Sequence, residues 1–304
     1  MTQNEVRLAN LLGRIMMAVG GLGALVVVVL RVWMYPGVIN SSNGVLDSPW
    51  TVMAFMLVCL VGMFVLAYFM GGIRRELTGG ASASLALSLL VVGLIIAYGE
   101  GSTAIHAGQV GETMEIIQGV LGVLSAAALI VLGFRLLSEG GTRRGMAQWI
   151  MLLPVLWMWM RLVNYEMSYN SLARLEDGFF GFGMLVVELL FLFKFARYIA
   201  GVGIVRSGFM VFYAASTALF SLSAALVSVY FYLVNDGMSV TAHSLTCPAD
   251  FAVGALALVV GITHLYGEEP IQVEEIELPE EEFAGEDLIM SSSDDDDASD
   301  IITE

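Results

Sequence analysis

Charge is what this sequence has least of. Asp, Glu, Lys and Arg make up only 14% of its 304 residues, against 58% hydrophobic, and its mean hydropathy is +0.81. That profile belongs to membrane proteins and excludes a soluble enzyme. The chain has two cysteines, Cys59 inside an apolar run and Cys247 in a connection, too far apart in predicted depth for a disulfide framework. It has three histidines with no His-x3-His spacing, so neither a zinc or manganese site nor a b-type haem is expected. Ser–His–Asp elbows, zinc-protease helices and P-loops are also missing, and neither catalysis nor a cofactor is expected. Basic residues are absent from 267–304, which holds 16 of the 29 acids. Nucleic acid is therefore excluded as a partner, and the remaining 266 residues balance at 13 acids and 13 bases.

What the sequence does have is apolar runs. About 20 residues of helix cross the roughly 30 Å of hydrocarbon, and eight runs qualify: 15–35, 51–72, 84–104, 115–137, 147–165, 179–200, 208–233 and 249–266. The expected fold is thus an all-α polytopic membrane protein with eight transmembrane helices. Residues 1–14 form a cytoplasmic N-terminus, 15–137 and 147–266 two four-helix repeats joined by a linker at 138–146, and 267–304 a disordered acidic tail. The 33 glycines suit close helix packing in lipid. Arg31–Val–Trp–Met–Tyr35 offers no small-residue cleavage site, so the first run reads as a retained anchor.

Lys and Arg set the orientation, since they accumulate on the cytoplasmic side. With the N-terminus inside, ten lie at inner ends, Arg7 to Arg206 in chain order, and only Arg31, Arg161 and Arg174 at outer ones. A plasma-membrane protein with both termini cytoplasmic follows. Trp33, Tyr35, Trp50, Tyr98, Tyr165, Tyr230 and Tyr232 fall near outer ends, and Tyr68, Trp149, Tyr198 and Tyr266 near inner ones, as headgroup-level anchors do. Trp157 and Trp159 sit deeper and are expected to pack, as are Met158 and Met160 beside them.

Shifting the chain by 130 residues pairs Arg31 with Arg161, Tyr35 with Tyr165, Asn40 with Asn170, Ser41 with Ser171 and Asp47 with Asp177. An offset of 128 aligns the later spans. The polar matches point to a 4+4 tandem repeat whose halves run parallel, because each has an even number of spans. In a structural role Asp47 and Asp177 cap the spans they precede, and Arg31 and Arg161 snorkel outward or pair with them. In a functional role Arg31, Arg161, Tyr35, Tyr165, Asp47 and Asp177 surround an outer vestibule that attracts anions.

Glu188 lies mid-span, where an ionised carboxylate costs at least about 2.5 kcal/mol. Its repeat equivalent is Val58, so building the scaffold does not require it. It becomes the candidate proton-coupling or substrate group, alongside Arg161 and Arg31, or else a structural partner of Arg161. Lys194, the only lysine, is too near the inner end for a buried Schiff base. Glu100, Glu112, Glu115 and His106, with Asp236, His243 and Asp250 in the second half, read as solvated residues of the outer connections.

Two functions compete: a small-solute or ion transporter using Glu188, and a non-catalytic scaffold presenting the tail. In the second, Ile271, Val273, Ile276 and Leu278 would dock on a basic-rimmed cytoplasmic partner.

Overall fold

The computed structural model describes residues 3–39, 49–70, 82–138, 149–168, 175–200, 207–234 and 247–266. They form helices α1 (Gln3–Ile39), α2 (Pro49–Phe69), α3 (Ser82–Val110), α4 (Thr113–Ser138), α5 (Leu152–Ser168) and α6 (Leu175–Ala200). A single rod follows, made of α7 (Ser207–Thr217), a π turn (Ala218–Leu222) and α8 (Ser223–Val234), and then α9 (Cys247–Tyr266). Each of these eight rods overlaps one apolar run, because in hydrocarbon a helix satisfies its own backbone groups and little else does, but α1 begins at Gln3 and so takes in most of the segment 1–14 expected to precede it. Six of the described helices are long and apolar enough to cross a membrane. The described part of α5 spans 17 residues, and α6 carries Glu188, Lys194 and Arg197.

The outer faces are greasy. Val58 is 70% exposed, and Leu57, Tyr68 and Phe69 on α2, Leu94 and Tyr98 on α3 and Phe134 on α4 also face outward. A continuous apolar surface of this kind marks lipid contact rather than water contact. Trp33, Tyr68, Tyr98 and Trp149 are exposed as interfacial anchors would be. Tyr198 and Tyr165 are not: the first is buried edge-on against His264, and the second packs on α6. Trp157, Met158 and Met160 are buried as expected, whereas Trp159 is exposed.

The α7 rod is the hub, packed by α1, α2, α6 and α9, while α3 packs mainly on α4 and α9. Close approach depends on missing side chains. A methyl group on Gly20 of α1 would lie 2.6 Å from the Ala215 carbonyl oxygen of α7, a clash with backbone that no side-chain rotation relieves. Between α3 and α4 the chain reverses at Gly111, whose φ of 87° only glycine adopts without strain. The N–H groups of Gly111 and Glu112 both donate to the Ala107 carbonyl, at 2.8 and 3.0 Å, ending α3 with a left-handed cap. The tight hairpin that results brings Glu100 and Gln118 face to face.

Candidate functional site: a buried arginine among three carboxylates

Helix α5 turns Trp157, Met158, Arg161 and Asn164 toward the bundle, a spacing of one helical face. Arg161 is 4% exposed. Its Nη2 donates to Asp250 Oδ1 of α9 at 2.6 Å, its Nη1 lies 3.6 Å from Glu188 Oε2 of α6, and its Nε lies 3.9 Å from Glu100 Oε1 of α3. Below the guanidinium lies the Trp157 ring, 5.3 Å away, and Met158 Sδ closes another side at 4.0 Å. Four helices thus deliver one cation and three acids to a single dry point.

The interior is real for every member: Glu188 is 0% exposed, Glu100 2% and Asp250 3%. Reading Glu100 and Asp250 as solvated loop residues is therefore a correction the structure imposes. Helix α3 continues to Val110, six residues past the expected end at 104, which leaves Glu100 well away from its end, and Asp250 sits in the first turn of α9. Arg161 is corrected as well. It does not snorkel to an outer surface, because three acids meet it inside.

Room for the cluster comes from α4. A methyl group on Gly122 would collide with Glu100 Cγ and lie 2.9 Å from Trp157 Nε1, and one on Gly119 would lie 2.8 Å from the Glu100 carbonyl oxygen. The Ser125 hydroxyl reaches the carbonyls of Leu121 and Leu153 at 2.7 and 2.8 Å, fastening α4 to α5. A chain of amides leads outward: Asn164 Nδ2 donates to Gln118 Oε1 at 2.9 Å, and Gln118 Nε2 to Glu100 Oε2 at 3.4 Å. Asn164 is half-buried, so this series runs from the rim to the core.

The hydrogen bonding is uneven. Asp250 holds a short, charge-assisted bond, whereas among the described residues neither Glu188 oxygen has a hydrogen-bond partner, nor do the Ser216 and Ser221 hydroxyls or Trp157 Nε1. Ser221 lies beside Glu188 on the π turn. Just before that turn, Thr217 Oγ1 donates to the Val187 carbonyl at 3.3 Å, tying α7 to α6 next to Glu188. A π turn inserts one extra residue per turn and re-aims the side chains around it, a feature frequent at functional sites.

Other candidates fall elsewhere. Arg31 is half-buried, with Cζ 4.5 Å from the Phe180 ring centroid. Tyr165 packs on the neighbouring Gly181, where a methyl group would lie 2.6 Å from its hydroxyl. The two therefore meet the same stretch of α6, while Arg31 and Arg161 occupy unlike surroundings. The side chains of Tyr35 and Asp177, residue Asp47, and Asp236 and His243 lie outside the described residues. So do Ile271, Val273, Ile276, Leu278 and the rest of the tail. His106 and Glu112 are exposed and Glu115 half-buried. Gln118 and Asn164, which sequence reasoning did not single out, join the site. Their only signal is an amide inside an otherwise apolar run. Among the described residues no three His, Cys, Asp or Glu side chains are grouped to hold a metal ion.

No family model matches this chain, and no curated protein or solved structure matches it significantly.

Proposed function

We propose that this polytopic helical protein is an eight-span plasma-membrane transporter for a small solute or ion, and that the Arg161 cluster is its proton-exchanging centre. The observation that carries this reading is the ratio of acids to base. A structural lock needs one carboxylate for one guanidinium, and Asp250 already serves at 2.6 Å. Glu100 and Glu188 are surplus. With all three ionised the cluster has a formal charge of −2, which a low-dielectric interior tolerates only by taking up protons or a cationic solute.

Glu188 is the member with unused hydrogen-bonding capacity, so proton uptake and release are assigned to it. Protonation leaves Arg161 to Asp250 and Glu100; release restores its pull on Glu188 and on α6. The Asn164–Gln118–Glu100 series is the polar route from the rim, and Arg31 and Tyr165 mark the outer mouth where α6 begins. Both termini are cytoplasmic in this reading, as the distribution of Lys and Arg implies. The bundle is taken as a tandem duplication. In support, α1 pairs with α2 as α5 does with α6, α3 with α4 as the α7 rod does with α9, and α4 meets α5 as α9 meets α1.

Full-length protein in liposomes loaded with a pH-sensitive dye tests the assignment. Under an imposed pH gradient, and on addition of candidate metabolites, wild type is expected to carry protons and Glu188→Gln to fall to the level of protein-free vesicles while eluting normally on gel filtration. Equal flux in both, or none in either, would overturn it and favour the scaffold reading, in which the acidic tail is the working part.

A further inference from the structure

A cavity of about 350 Å³ opens on the flank of the bundle between α2, α6 and α7. Leu60 and Phe64 of α2, Val187 and Leu190 of α6, and Phe212 and Tyr213 of α7 line it. Its volume lies at the small end of ligand pockets, about 300–1,000 Å³, and its lining is almost wholly apolar. Phe64 stands edge-on to Phe212 and Phe209, with centroids 5.8 and 6.1 Å apart, bracing one wall. Phe64 and Leu190 are also exposed, so the cavity faces the hydrocarbon.

A cation sits at one end. Lys194 follows Leu190 by one helical turn, and its Nζ lies 5.8 Å from the ring centroid of Tyr213. That ring is the partner the structure gives it among the described residues. Arg197, three residues on and therefore on the same side of α6, is half-buried in the last turn. At 1.5 Å per residue, Val187 lies about 10 Å along the axis from Lys194, toward mid-span. An apolar slot running inward from a basic mouth has the shape and charge of one lipid: tail in the slot, anionic head at the mouth.

We propose that the α2–α6–α7 cavity binds one acyl chain of an anionic phospholipid from the bilayer, with its phosphate held by Lys194 and Arg197. Tyr213 serves twice, as slot wall and as the ring that holds Lys194 over the opening by a cation–π contact. Chain and charge make separate contributions. The slot accepts the tail of any phospholipid, and the basic mouth selects the head with net negative charge. The site is independent of the transport reading, because lipid retention is measured without flux.

Native mass spectrometry of the full chain, released from nanodiscs holding equal phosphatidylglycerol and phosphatidylcholine, tests it. Wild type is expected to retain one phosphatidylglycerol in preference to phosphatidylcholine. Lys194→Gln should lose that preference while still carrying a lipid, and Leu190→Trp, which fills the slot, should carry neither. Equal retention of the two lipids by wild type, or an unchanged preference in Lys194→Gln, would overturn the proposal. Lys194 lies outside the buried cluster, so its variant stays informative if Leu190→Trp fails to fold.

Discussion

In α2 only 22% of the apolar stretch Thr51–Phe69 is buried, and in α3 and α4 39%, whereas burial reaches 78% over Gly208–Tyr230 and 67% over Pro248–Leu265. The most apolar of these stretches is the most exposed, and the two least apolar are the most buried. A water-soluble protein shows the opposite order. In lipid the apolar surface has no reason to hide, so the interior is where serines, glycines and ionisable groups collect. Position 58 and position 188, related by the 130-residue offset, condense the contrast: Val58 is 70% exposed and Glu188 is 0% exposed. The buried charges collect where α3, α5, α6 and α9 meet, and α2 on the rim turns its apolar side chains outward.

The sharpest way to break this contrast is to exchange the two offset-related arginines for Met. Removing Arg161 strands three buried carboxylates, and breaking a buried ion pair costs about 3–5 kcal/mol. Arg31→Met forfeits, among its contacts, the one with the Phe180 ring, worth about 0.5–1 kcal/mol, and strands no group of three buried acids. Thermal unfolding in nanodiscs should thus rank Arg161→Met far below Arg31→Met, and equal losses would mean that the cluster is no more critical than the rim. Next come two glycines. Gly20→Ala drives a methyl into the Ala215 backbone and should cost about 1–3 kcal/mol as overpacking. At Gly62 of α2 a methyl meets nothing within 4 Å, so Gly62→Ala should stay within about 0.5 kcal/mol of wild type. The smallest effect belongs to Val58→Ala, which trims a side chain pointing into lipid and should also stay within about 0.5 kcal/mol. A loss of several degrees in its melting temperature would reveal a protein partner covering α2.

Much of the architecture was legible beforehand, and for a definite reason. Bilayer thickness and backbone hydrogen bonding act on each run separately, so among the described residues every apolar run falls on a helix, six of them long and apolar enough to cross a membrane, although α1 begins at Gln3, well before the expected start at 15. The site was half legible. Glu188 stood out because charge inside an apolar run is costly wherever the helix points, Arg161 because the 130-residue offset pairs it with Arg31, and their 3.6 Å pairing was one of the outcomes considered. Glu100 and Asp250 did not stand out, because hydropathy places span ends poorly. Near an end, a carboxylate in the last buried turn and one in the first solvated residue read alike. The glycines around Glu100 gave no help, since Tyr98–Gly–Glu–Gly101 suits a loop as well as a helix wedged against α4.

Local physics, carried by the sequence alone, determined that this chain is helical, membrane-like, and carries its net negative charge in its last 38 residues. Only the tertiary structure decided which polar groups meet. Arg161 lies 89 positions from Asp250, and their encounter depends on how α3, α5, α6 and α9 are rotated about their own axes. Those rotations are set by small residues, by the π turn at Ala218–Leu222 and by the hub position of α7. No single run encodes them, because each is a property of two surfaces fitting together.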